Sequence, residues 1–162
     1  MRADERIGLR QQFRLRCGYC GVSETDVGAE LTVDHFQPLS QGGRDSPDNY
    51  VYCRHACNEF KGDYWQPDSK QRILHPLLDN LHDHLAVQND GTMTGVTEAG
   101  TFHIQRLRLN RPELLKYRAR QRLRRLARDR SAQLLRRLRY LELEIRDVIE
   151  MMSQLGTSTE ED

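Results

Sequence analysis

The sequence predicts an α+β fold: a cysteine-rich segment of short strands and one short helix, a small β-sheet region, and a long C-terminal helix or helix pair. Three observations carry this. Four cysteines fall into two close pairs, Cys17/Cys20 and Cys53/Cys57, separated by short β-rich runs. Turn residues then recur from Pro76 to Leu109, at Asn89-Asp90-Gly91 and Ala99-Gly100. Finally, no Gly or Pro occurs from Glu113 to Leu155, which suits one long helix or two with a subtle break.

Taken in order, the opening "DERIGLRQQFRLR" suits a short helix or an irregular lead-in. "CGYC" supplies the tight turn of a thiolate knuckle, helped by Gly18 and Gly21. In "ELTVDHF", Leu31 and Val33 alternate with Thr32 and Asp34, predicting a strand that ends near His35. "QPLSQGGRDSPDN" is a loop by composition, "YVYC" a second short strand, and "HACNEFKGD" a short helix closed by Gly62. Residues 76–109 read as two or three small strands continuous with the 1–75 core. "NRPELL" reads as a helix start, with Asn110 as N-cap, Pro112 in the first turn and Glu113 three residues after the cap. This opens a helical region over 110–156, and 157–162 reads as a disordered acidic tail.

With 162 residues and 37% hydrophobic content, the chain can build one core plus an extension. It contains no apolar run of membrane-spanning length and its start lacks the apolar stretch of a secretory signal, so a cytoplasmic location is expected. In a reducing compartment, paired cysteines are metal ligands more readily than disulfides. The net charge of +1 conceals a strong asymmetry. Residues 111–139 carry 12 basic and 2 acidic residues, net +10, whereas 140–162 carry 1 and 7, net −6. The basic segment suits a polyanion, and Arg120, Arg124 and Arg128, with Lys61, are the expected phosphate contacts. Leu134, Leu138, Leu141, Ile145, Val148, Met152 and Leu155 form an apolar heptad seam. It can pack on its own domain, in a homodimer or on a partner protein.

"CGYC", "LTVDHFQPLSQGG", "DNYVY" and "CNEFKGD" stand in an order that resembles the HNH endonuclease family, over about residues 17–65. The resemblance implies a ββα-metal core holding a structural zinc and one catalytic divalent ion, Mg²⁺ or Mn²⁺, beside a DNA phosphodiester. Carried over residue by residue, His35 is the general base, Asp34 and Asn58 are ligands of the catalytic ion, and Asn49 ties the loop that orients the histidine. The motif is thus His-Asn-Asn. The residue types suit the chemistry: a hard cation prefers oxygen ligands, and an imidazole accepts a proton near neutral pH. The family's zinc ligands fall on Cys17, Cys20, Cys57 and Arg54, and arginine does not bind zinc. Cys53, one residue earlier, is then the expected fourth ligand through a backbone bulge, with His55 as the alternative. The other readings are a zinc-dependent nucleic-acid-binding module that does not cleave, and an effector subunit of a bacterial defence complex that is inactive without its partner.

Overall fold

Strand β1 (Thr32–His35) pairs antiparallel with β2 (Tyr50–Cys53), in the register Thr32↔Cys53, Val33↔Tyr52, Asp34↔Val51 and His35↔Tyr50. The computed structural model describes residues 2–67 and 70–157. All four residues of β2 are buried, so a continuous apolar or aromatic run is what this strand needs. Helix α1 (Ala3–Gln12) and the short α2 (Glu24–Val27) precede the ribbon, and α3 (His55–Lys61) follows it directly. Arg10 joins the first two helices through paired bonds of 2.9 Å to the Glu24 carboxylate. The strand–strand–helix order of the sequence reading is therefore present, and the opening segment is helical.

The Asn49 side chain ties the two ends of the loop between β1 and β2. Asn49 Oδ1 accepts from Gln37 N at 2.8 Å, while its Nδ2 donates to the Gln37 and Arg44 carbonyls, both at 2.9 Å. Gly43 lies so close to this turn that a Cβ there would sit 2.0 Å from the Gln37 carbonyl oxygen. Gly43 is thus a steric requirement of the loop, while Gly42, at φ 79°, takes the left-handed backbone that favours glycine.

After β2 and α3, α4 (Leu81–His84) leads into a second two-stranded antiparallel sheet, β3 (Leu85–Val87) with β4 (Met93–Gly95). Here the structure corrects the sequence reading. The segment "EAGTFHIQR", taken as part of a small strand, is helix α5 (Glu98–Arg106). Thr97 caps it by accepting from Gly100 N at 3.0 Å. Ala99-Gly100 is the first turn of this helix, and glycine is needed because a Cβ at Gly100 would meet the His84 carbonyl oxygen at 2.0 Å. The N-cap expected of Asn110 is corrected too. Its amide instead brackets Met93, accepting from the backbone N and donating to the O, both at 2.8 Å.

Helix α6 (Pro112–Thr157) is one helix rather than a pair. By its contacts the chain divides into two units, residues 1–119 and 120–162. The first holds the core, centred on Tyr52, Leu74, Leu107, Leu109 and Leu114. In the second, every side chain from Arg122 to Met152 is exposed, including the seam residues Leu134 to Met152. The side chain of Leu155 and the tail 158–162 lie outside the described residues.

Three histidines outside the HNH-like segment have structural roles. His103 Nδ1 accepts from Leu74 N at 3.0 Å, and His75 Nδ1 accepts from Leu77 N and Leu78 N at 3.2 and 3.1 Å. His84 Nδ1 bonds Thr97 Oγ1 at 2.7 Å. Burial lowers the pKa of His75 and takes that of His103 down to about 4, so both serve as neutral acceptors for backbone groups.

Candidate active site and metal centre

His35 is the last residue of β1 and Asp34 the one before it, and the end of the strand decides their common use. Asp34 points inward and is 5% exposed. Its Oδ2 accepts from Tyr19 Oη at 2.6 Å and its Oδ1 from Lys61 Nζ at 3.1 Å. Desolvation raises its pKa, with Lys61 and Tyr19 opposing. His35, partly exposed, turns the other way, yet both residues line one cavity of about 460 Å³. Asn58 from α3 lines the same cavity, together with Glu59 and Asp63.

Lys61 is placed differently from the expectation of a phosphate contact. It is 1% exposed, and its ammonium donates to Asp34 Oδ1, to the His35 carbonyl at 2.9 Å and to the Gly62 carbonyl at 3.4 Å. The three donors of a lysine are therefore spent inside the fold. The charge serves the Asp34 carboxylate and pins the end of β1. Lys61→Met is expected to destabilise the protein by roughly 3–5 kcal/mol, because it leaves a buried carboxylate without its cation. Urea unfolding monitored by Trp65 fluorescence measures this directly.

The structure adds a residue that the sequence reading did not single out. Asp45 Oδ1 lies 2.8 Å from His35 Nε2 and accepts from Tyr50 Oη at 2.6 Å. The Tyr50 and His35 hydrogen bonds hold the Asp45 carboxyl below the usual range, and the same contact pushes Tyr50 up to about 12. As a carboxylate Asp45 can only accept, so Nε2 of His35 donates to it, and in the neutral ring Nδ1 is the open acceptor. The only hint in sequence is that Asp45 lies in the loop leading to Tyr50, which pairs across the sheet from His35.

Next to this cavity, the sulfurs of Cys17, Cys20 and Cys57 all lie within 4.8 Å of one another. Three thiolates sharing one tetrahedral zinc at about 2.3 Å sit about 3.8 Å apart, so the cluster fits that ion. The Cys17 sulfur accepts from the backbone N of Cys20 at 3.4 Å and of Arg54 at 3.3 Å. Hydrogen bonds from Cys17 and Cys20, with the Arg111 guanidinium 3.5 Å away, lower the Cys57 thiol, while burial raises Cys17 and the sulfur contacts raise Cys20.

Cys53, the expected fourth ligand, is not in this group among the described residues. The ladder explains why: the register runs without a bulge to Thr32↔Cys53, so nothing rotates the side chain of Cys53 toward the others. It is fully buried, and burial raises its pKa. His55, the alternative, has a side chain 79% exposed that lies 3.4 Å from Glu59 Oε1. Among the described residues three candidate zinc ligands come together, and neither candidate for the fourth joins them.

Trp65 packs edge-on against Phe36, with ring centroids 5.5 Å apart, as part of an aromatic cluster. Arg120, Arg124 and Arg128 recur every four residues along α6 in the second unit.

A ββα unit with a histidine at the strand end, a buried carboxylate, an asparagine on the helix and a thiolate cluster defines the class of this segment. Residues 17–64 match the family model for HNH endonuclease. The chain has no significant match among curated proteins or solved structures. No described helix is long and apolar enough to cross a membrane.

Proposed function

We propose that the protein is a metal-dependent endonuclease that hydrolyses DNA phosphodiester bonds, with His35 as the general base. The observation that carries this reading is the shared cavity: His35, Asp34 and Asn58 converge on it, and Asp45 holds the histidine from behind. The oxygen donors of Asp34 and Asn58 suit a hard divalent cation such as Mg²⁺ or Mn²⁺. When bound, such an ion neutralises charge on the phosphate and on the departing 3′ oxygen. Asp34 Oδ1 and Oδ2 each hold one protein donor, which leaves each oxygen one lone pair for ligation.

The proton path then follows from the tautomer. Asp45 fixes the proton on Nε2, and Nδ1 takes the proton of the attacking water. As the imidazolium forms, the Asp45 carboxylate stabilises its charge. Asn49 contributes by position alone, fixing the loop on which Asp45 and Gln37 stand. Cys17, Cys20 and Cys57 hold a structural zinc in this reading, and the basic part of α6 supplies phosphate contacts without sequence information.

Asp45 is accordingly a positioning residue. Asp45→Asn is expected to lower kcat by on the order of ten- to a hundredfold, part of the roughly 10²–10⁴ that general-base catalysis contributes. KM for DNA and the melting temperature should stay unchanged, since the Asp45 side chain is 59% exposed. A fall in KM-limited binding with kcat intact would remove it from the proton path.

A further inference from the structure

The exposed face of α6 has a pattern that selects its partner. Leu134, Leu138, Leu141, Ile145, Val148 and Met152 are all exposed, between 38% and 68%. Their spacing of 4, 3, 4, 3 and 4 is that of a coiled-coil seam, which is not stable facing water. Charge is divided along the same helix. Residues 120–139 carry nine basic and one acidic residue, net +8; residues 140–157 carry one and four, net −3.

We infer that this face is covered by the same face of a second copy, running antiparallel, with the twofold axis between Arg139 and Tyr140. In that register Leu138 faces Leu141 of the other copy, Leu134 faces Ile145, Ser131 faces Val148 and Ala127 faces Met152. The axis falls where the helix changes sign, so the basic half of each copy lies along the acidic half of the other. Beside the seam, Arg137 meets Glu144 of the second copy, and symmetry repeats the pair.

The alternatives are poorer. Sliding the copies by one heptad, with the axis at Leu143, keeps an apolar seam but sets Glu142 against Glu142 and Glu144 against Glu144. A parallel in-register pair allows an Arg137–Glu142 contact, yet it stacks Arg120 on Arg120 and Arg124 on Arg124 along the continued seam. Like charges placed directly together oppose association. The antiparallel pair leaves Arg125, Arg136 and Arg139 on its outer side, where phosphate contacts remain open to them. The inference rests on the helix alone and is independent of the nuclease reading.

The test uses the full chain. Sedimentation equilibrium at tens of micromolar should give twice the 19.0 kDa chain mass. A monomer at that concentration would overturn the inference and assign the face to a different protein. Spin labels at Arg125→Cys should then lie about 44 Å apart along the helix pair, from 29 residues at about 1.5 Å each. A separation of about 54 Å would indicate the shifted register, and a short one of about 10–20 Å a parallel pair; either overturns the proposal. Arg137→Glu alone should weaken the dimer by on the order of tenfold, as should Glu144→Arg alone, whereas the double variant should restore wild-type affinity. Failure of the double variant to recover would remove the pairing, even if dimers persist.

Discussion

His35→Ala abolishes plasmid cleavage: that is the expected result with the largest effect. Loss of the proton acceptor costs roughly 10²–10⁴ in rate, enough to take a slow nuclease below detection in a relaxation assay. The assay is run with Mg²⁺, with Mn²⁺ and with EDTA, and cleavage by the wild type should require metal. The fold should survive, because His35 is partly exposed at the end of β1 and contributes its ring to one edge contact with Tyr50 and one bond with Asp45. Far-UV circular dichroism and an unchanged melting temperature confirm that comparison. Metal-dependent cutting that persists in His35→Ala would transfer the base to another group. Absence of cutting by a folded, zinc-loaded wild type under every metal would favour a DNA-binding module.

The second large effect concerns the thiolates. A structural zinc in a small domain contributes roughly 10–16 kcal/mol of apparent binding free energy, comparable with the roughly 5–15 kcal/mol that separates a folded domain from its unfolded chain. Cys17→Ser or Cys57→Ser should therefore lose zinc and unfold the 1–119 unit, as should a strong chelator. Cys53→Ser should behave differently: it disturbs a fully buried site but retains the metal. Metal content by atomic emission, set beside thermal unfolding, separates the two outcomes. Zinc lost from Cys53→Ser while the protein remains folded would make Cys53 a ligand after all.

These two experiments probe parts that were legible in sequence to different degrees. His35, Asp34 and Asn58 could be named because the order of strand, loop, strand and helix carries the family pattern, and local propensity produces those elements. Cys17, Cys20 and Cys57 could be named for the same reason, since a C-x₂-C turn and a helix start are local. Cys53 could not be decided that way. Whether a strand bulges depends on the pairing register, and here β1 and β2 pair without interruption to the end. Lys61 could not be decided either: a lysine in the last turn of a helix reads as a surface charge until the fold places a buried carboxylate beside it.

Asn110 and the 97–106 segment show the same limit. A polar residue before Pro112 is a sound cap, but tertiary contact with Met93 claimed its amide. Ala99-Gly100 looks like a turn, yet the glycine is required by the close passage of α5 over His84.

By itself, then, the sequence determined the elements whose causes are local: the knuckle, the two strands, the short helix, the long helix through the stretch 113–155 without Gly or Pro, and the charge division along it. Tertiary structure alone decided which buried groups meet. It joined Asp45 to His35, turned Lys61 onto Asp34 and left Cys53 outside the thiolate cluster. The physical reason is that chain-local preferences act over a few residues, whereas hydrogen bonds and ion pairs between distant residues depend on strand register and on where burial removes water.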